Sequence, residues 1–220
     1  MIYMPLGRKT GPKPKFSAEQ VISAALEIGL DRFTMAQVAK AVGVGAPSLY
    51  RIYESREDLV GACLGEIARR EPWVSLQQAW PDMLREWAHY CWHLCETYSG
   101  FALTLYTYPF PQVRFMEAAP GIIDEFISAG LDKSTVLFAL DFVGDTVITI
   151  HLGLACYRVD RNHPQQRMLL ARNIEITNRQ LGVDVSPLVN STNVYSDFVS
   201  PKVDFIIAAL ERGFGRNIQV

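Results

Sequence analysis

Residues 34–50 read TMAQVAKAVGVGAPSLY, and this stretch decides the fold. Thr34-Met35-Ala36-Gln37 is a capping box: the Thr34 hydroxyl takes an orphan backbone N–H at the start of a helix while Gln37 reaches back. Phe33 and Val38 stand at the staple positions flanking that cap. Ala39 is small enough for a second helix to cross closely, and Gly43 supplies the left-handed residue that closes the first helix. Pro47 is welcome only in a first helical turn, so a new helix starts near Ala46 and runs through Leu49, Tyr50 and Ile52. Two short helices joined by a tight glycine turn make a helix-turn-helix, whose second helix enters the DNA major groove.

An ordinary helical hairpin could carry the same caps and glycine, but the flanks argue against it. Upstream, Ser17-Ala18-Glu19-Gln20 repeats the capping-box logic, with Phe16 and Val21 as its staple. The helix it opens carries Val21, Ile22, Ala25, Leu26 and Ile28 on one apolar face. Downstream, Ser55-Arg56-Glu57-Asp58 opens a further helix with Leu59 and Val60. Three short helices followed by a longer one form a head over residues 16–60. Residues 1–15 precede it as a basic arm, in which Arg8, Lys9, Lys13 and Lys15 have no acidic neighbour and Pro12 and Pro14 keep the chain extended. Alone, such a tail reads as a solubilising extension; attached to this head it suits phosphate or minor-groove contact.

Residues 16–60 resemble the DNA-binding domain of TetR-family transcriptional repressors. The resemblance rests on Ala24, Ala25, Leu26, Phe33, Thr34, Val38, Ala39, Gly43, Val44, Leu49, Tyr50 and Leu59, taken as a set. A weaker likeness extends through residues 61–220, where the last helix, SPKVDFIIAALERGF, is similar to the final helix of the family's C-terminal domain. The fold class expected is all-α: an N-terminal three-helix head with a helix-turn-helix, then a C-terminal helical ligand-binding and dimerisation domain. The resemblance also implies that Tyr50 meets the DNA backbone and that Thr34 and Arg56 occupy phosphate-contacting positions. Ala36 stands where some relatives carry a base-reading arginine, which leaves sequence reading to the second helix.

In that helix the groove-facing candidates are Ala46, Pro47, Ser48, Tyr50 and Arg51. Arg51 suits a bidentate pair to guanine O6 and N7, worth about 1–3 kcal/mol of discrimination. Ser48 can reach a base edge or a phosphate, Ala46 and Pro47 can pack on a thymine methyl, and Lys40 is a further phosphate candidate. Leu49 belongs to the core. The chain of 220 residues has a formal net charge of −2, too acidic for indiscriminate nucleic-acid binding. The charge is unevenly placed: residues 1–60 hold eight Lys and Arg against six Asp and Glu, a net +2 that leaves the remainder at −4.

Beyond Leu59 the pattern predicts only helices: from about Arg56 to Gln78 with a break near Pro72, then Asp82 to Thr97, with shorter pieces between Phe101 and Glu117. A helix from Pro120 to Ala129 closes at Gly130. A long one runs from Asp132 to about Arg158, and another from Gln165 to Leu181 closes at Gly182. Val183 to Ser200 reads as a loop, and Ser200-Pro201 starts a last helix ending at Gly213. The apolar run Val136 to Ala155 is interrupted by Asp141, Asp145 and His151 and lacks a basic flank. It reads as a buried helix, not a membrane span. Val203, Ile206, Ile207 and Leu210 form a stripe at helical spacing, and with the long helix they are the expected dimer interface, though packing within one subunit would use the same pattern.

Aromatic residues crowd positions 87–142. They suit a plain core, yet the resemblance implies a small-molecule cavity there. Trp87, Cys91, Leu94 and Tyr98 share one helix face as lining candidates, with Phe115, Phe142, Asp145 and Thr149 from later segments. Asp145 and Asp141 fall one turn apart in an apolar helix, where a carboxylate needs a partner: a cationic or hydrogen-bonding ligand, a cap or a cross-subunit bond. His89 and His93 have a chelating i, i+4 spacing, but with Glu86 and Glu96 they read as a solvated stripe, and no metal or cofactor is expected. The four cysteines, Cys63, Cys91, Cys95 and Cys156, lack a disulfide or zinc-ligand pattern, and Met1 to Leu6 is too short for a signal peptide, so a cytoplasmic protein is expected. No nucleophile elbow, phosphate loop or dinucleotide-binding glycine pattern points to an enzyme. The expected function is a homodimeric repressor released from a palindromic DNA operator by a small-molecule effector. A ligand-dependent activator or corepressor-type regulator with the same head is one alternative; an enzyme or carrier with a vestigial head is the other.

Overall fold

Both capping boxes close. In the computed structural model, which describes residues 16–108, 121–155, 164–184, 186 and 193–214, the Ser17 Oγ accepts from Gln20 N at 3.2 Å while Ser17 N donates to Gln20 Oε1 at 2.8 Å. Thr34 and Gln37 repeat the exchange at 3.2 and 2.8 Å. These caps start α1 (Ala18–Ile28) and α2 (Met35–Ala41). Gly43, at φ 74°, turns the chain into α3 (Ala46–Leu49), which carries Pro47 in its first turn. The second helix is shorter than the sequence predicts, since Tyr50 is already its C-cap and Ile52 lies in the following turn. The cause is the next start signal. Ser55 Oγ accepts from Asp58 N at 3.0 Å and the Asp58 carboxylate accepts from Glu54 N at 3.1 Å, so the chain must already be turning into α4 (Arg56–Arg70).

α4 joins head to body. Its Leu59, Val60, Cys63, Leu64, Ile67 and Ala68 are buried, and it packs along α1. It ends at Arg70, before Pro72, because a residue preceding proline is steered out of helical geometry. The body then runs α5 (Trp80–Thr97), α6 (Phe101–Thr107), α7 (Ile122–Ser128), α8 (Lys133–Ala155), α9 (Pro164–Leu181), a π-helical turn (Tyr195–Val199) and α10 (Ser200–Glu211). Every regular element among the described residues is helical. The pairing of α5 with α8 is the most extensive, and α6, α7 and α10 also lie against α8. Trp73 bridges the packing, stacked on Phe126 at 5.6 Å and edge-on to Trp87 at 6.0 Å.

Two sequence readings are corrected here. The segment before the last helix is not all loop: helical geometry is continuous from Tyr195, and Ser200 lies inside it, its Oγ donating to Tyr195 O at 3.4 Å and not capping an end. Second, α8 is not buried all round. Lys133–Gly153 is long and apolar enough to cross a membrane by composition, but Val136, Ala139, Leu140, Val143, Val147 and Ile148 are packed into the protein while Phe142, Asp145 and Thr149 stay exposed. An apolar sequence tells how much surface must be covered, not by what.

Candidate nucleic-acid interface and effector cavity

The head presents α3 outward on one buried anchor. Leu49 is fully buried, whereas Pro47, Tyr50 and Arg51 are exposed, Tyr50 to 53%. Ser48 is half-buried and Ala46, also half-buried, packs against the core, leaving less of it for a thymine methyl than the sequence reading assigns. Neither Arg51 nor Lys40 enters an ion pair among the described residues, so both cations are available. Thr34 is exposed, but its hydroxyl accepts from Gln37 N and also donates to Gln37 Oε1 at 2.9 Å. Arg56 is the clearest departure. Expected on a phosphate, its half-buried guanidinium turns inward, with Nε donating to Phe33 O at 3.0 Å, Nη2 to Leu30 O at 2.7 Å, and the cation 4.7 Å over the Phe33 ring. Arg8, Lys9, Lys13 and Lys15 lie outside the described residues.

The loop between α1 and α2 also touches the body. Leu30 N donates to Ser99 O at 2.9 Å and Arg32 Nη2 to Ser99 Oγ at 3.0 Å. Gly100, at φ 80°, caps α6 and seats Asp31 so closely that a Cβ there would fall 2.1 Å from the Asp31 carboxylate. The head therefore rests on the residues that start α6.

α6 is one wall of a cavity of about 530 Å³ enclosed with α5 and α8, within the size range of small-molecule sites. Of the residues the sequence offers, Trp87, Cys91, Leu94 and Asp145 line it. Tyr98 is not among the lining residues; its hydroxyl donates to Glu71 Oε1 at 3.3 Å. Phe142 and Thr149 also miss it and, with Phe138 and Lys202, line a shallow groove that shares Asp141 and Asp145 with the cavity. Phe115 is outside the described residues. Lining residues the sequence reading did not single out include Tyr90, Phe101, Leu105, Tyr106 and Tyr108, and Asp141 joins Asp145 on the wall. Asp141 and Asp145 both line the cavity, and burial, then repulsion from Asp141, holds the Asp145 carboxyl above the usual carboxylate range. Burial pushes the Cys91 thiol up strongly and the Cys63 and Cys95 thiols up to about 12, so all three are neutral. His89 stacks on Tyr195 at 4.0 Å and His93 faces Glu71 at 3.5 Å, so the two rings serve different neighbours.

The stripe assigned to the dimer interface is corrected as well. Val203, Ile206, Ile207 and Leu210 are buried within their own chain. The same helix leaves Phe205 exposed to 70%, and a second groove lined by Phe138, Phe205, Ala209 and Phe214 continues across to α8. At helical spacing one face had to pack inward, and the longer aliphatic stripe took it.

Residues 22–63, covering α2, α3 and most of α1 and α4, match the family model described as bacterial regulatory proteins, tetR family. Over its head, the chain is similar to the TetR family. The body agrees in architecture. A structure described as a possible TetR family transcriptional regulator from Streptomyces coelicolor A3(2) is 18% identical, covers 90% of this chain and 100% of its own, and superposes with a TM-score of 0.65. A TetR variant from Acinetobacter baumannii AYE, solved in complex with minocycline, is 20% identical over 90% of this chain and 98% of that one, at a TM-score of 0.62. At these identities the likeness is one of fold. No curated protein matches the sequence. The chain thus combines a helix-turn-helix head with a body that encloses a cavity.

Proposed function

We propose that the protein is a homodimeric transcriptional repressor whose grip on a palindromic operator is released by a small molecule in the α5–α6–α8 cavity. The observation that carries this reading is the path from cavity to head: α6 lines the cavity, and the Ser99–Gly100 turn at its start holds the α1–α2 loop. A ligand that favours another position of α6 shifts the head with it, and operator affinity falls by the ratio of ligand affinities in the two states. Two heads on a twofold axis read half-sites about one helical turn, or a multiple of it, apart. Arg51 supplies base reading, with Ser48 and Pro47 beside it, and Tyr50, Lys40 and the basic arm meet the backbone. The reading includes no catalytic step and has the protein act on DNA in the cytoplasm, supported by the likeness of its head to TetR-family regulators.

Arg51→Ala tests the head. Binding to the cognate operator is expected to weaken roughly 5- to 150-fold, as loss of one bidentate base contact requires, while binding to random duplex barely changes. A retardation titration on both duplexes reads this out, and equal losses on the two contradict base reading by Arg51. Adding candidate ligands to the same titration gives the sign of the response, and tightening contradicts the release mechanism.

The dimer is proposed to form through the exposed α8 and α10 faces, with a second copy of this chain as the occupant. Phe138, Phe142, Phe205 and Phe214 make that surface aromatic, and Phe205 and Phe214 are each 70% exposed in the single chain. A twofold contact sets the same patch on both partners. Phe205→Glu is expected to convert the solution mass from twice 24.7 kDa to 24.7 kDa by light scattering. Retention of the double mass contradicts this interface.

A further inference from the structure

The cavity's polar groups are sorted by sign. Among the described residues its lining holds Trp87, Tyr90, Phe101, Tyr106 and Tyr108, two carboxylates, Asp141 and Asp145, and no Lys, Arg or His. The donors on those walls are largely taken. Trp87 Nε1 donates to Leu140 O at 3.1 Å, Tyr90 Oη donates to Glu71 O at 2.6 Å, and Tyr106 Oη pairs with Thr149 Oγ1 at 2.9 Å. The two carboxylates, by contrast, make no hydrogen bond or ion pair among the described residues. They sit one turn apart on α8, exposed to water yet part of the lining, so they mark the cavity mouth. Both carboxylates also border the outer groove that Lys202 lines, yet Lys202 makes no ion pair to either.

We infer that the effector is an organic cation with an apolar, aromatic-sized body, its charge met by Asp141 and Asp145 and its body by the Trp87, Tyr90, Phe101 and Tyr108 walls. This rests on the reading of the cavity as the effector site. Indole and phenol faces attract a cation by their ring quadrupoles, and two close carboxylates repel each other until a positive charge lies between them. An anion of the same shape finds π faces and carboxylates, both repulsive, and no basic side chain among the described lining residues. The cavity therefore selects by charge before it selects by shape.

Tetraphenylphosphonium and tetraphenylborate are nearly equal in size and shape and opposite in charge, and calorimetric titration of each into the full chain reads the preference. The cation is expected to bind at least tenfold tighter than the anion. Asp141→Asn with Asp145→Asn should weaken the cation at least tenfold and leave the anion unweakened. Gly144→Leu gives the location: Gly144 lines the cavity on α8, and a Cβ there meets nothing within 4 Å, so the leucine fills the space without displacing the helix. It should abolish binding of the cation. Equal or tighter binding of the anion overturns the charge assignment while leaving the cavity as the effector site. Unchanged cation binding by the Gly144→Leu protein, or no binding of either ion to the parent chain, overturns both.

Discussion

Gly100→Ala is expected to lower folding stability by about 2–5 kcal/mol. Two costs add. At φ 80° an L-residue is strained by about 1–2 kcal/mol. The new methyl would also lie 2.1 Å from Asp31 Oδ1 and 2.6 Å from Asp31 N, and the second of these is backbone that cannot swing aside. Gly43→Ala isolates the strain, since Gly43 has φ 74° but nothing within 4 Å of a Cβ. Thermal unfolding should show the Gly100 variant clearly less stable than the Gly43 variant. Because Ser99 and Gly100 seat the head on α6, the folded fraction of Gly100→Ala should also show a weaker ligand effect on DNA binding. Equal melting of the two alanine variants would contradict a tight head–body contact at this turn.

Arg56→Met should destabilise the head by about 2–4 kcal/mol, through loss of two charge-assisted hydrogen bonds and the contact over Phe33. The methionine keeps much of the apolar stem but leaves the Leu30 and Phe33 carbonyls without their donor. Lysine cannot replace it, because one ammonium on a flexible stem does not span two carbonyls while lying flat on a ring, so Arg56→Lys should recover less than half of the loss. Denaturant unfolding followed by far-UV dichroism measures both. Should Arg56→Met fold with unaltered stability yet bind all duplexes more weakly, with a salt slope lower by about one, the side chain acts on a phosphate and the structural role is wrong.

The head was legible from sequence because its signals are local. Ser17, Thr34, Gly43, Pro47 and Ser55 each act within one turn of themselves, and each stands at the boundary its chemistry implies. What escaped is long-range. Nothing near Arg56 announces that its guanidinium will meet carbonyls 23 and 26 residues away, and nothing near Gly100 announces Asp31. In the cavity, the α5 face of Trp87, Cys91 and Leu94 could be read from helical spacing, while Tyr98 at the end of that face was drawn off by Glu71. The α6 contributors Leu105 and Tyr106 could be placed only once α6 was seen folded against α8. The apolar helices posed a different difficulty. Val203, Ile206, Ile207 and Leu210 on one side of α10 and Phe205 on the other are both hydrophobic enough to be an interface, and only packing decides which faces inward.

The most direct test of the account is to select duplexes from a random pool with the full chain, then map guanine N7 methylation protection on the enriched site with the parent protein and with Arg51→Ala. The account predicts a twofold-symmetric sequence whose half-sites lie about one helical turn or a multiple apart, with major-groove protections that disappear in the variant. Enrichment of no symmetric site, or protections identical in the two proteins, would contradict it.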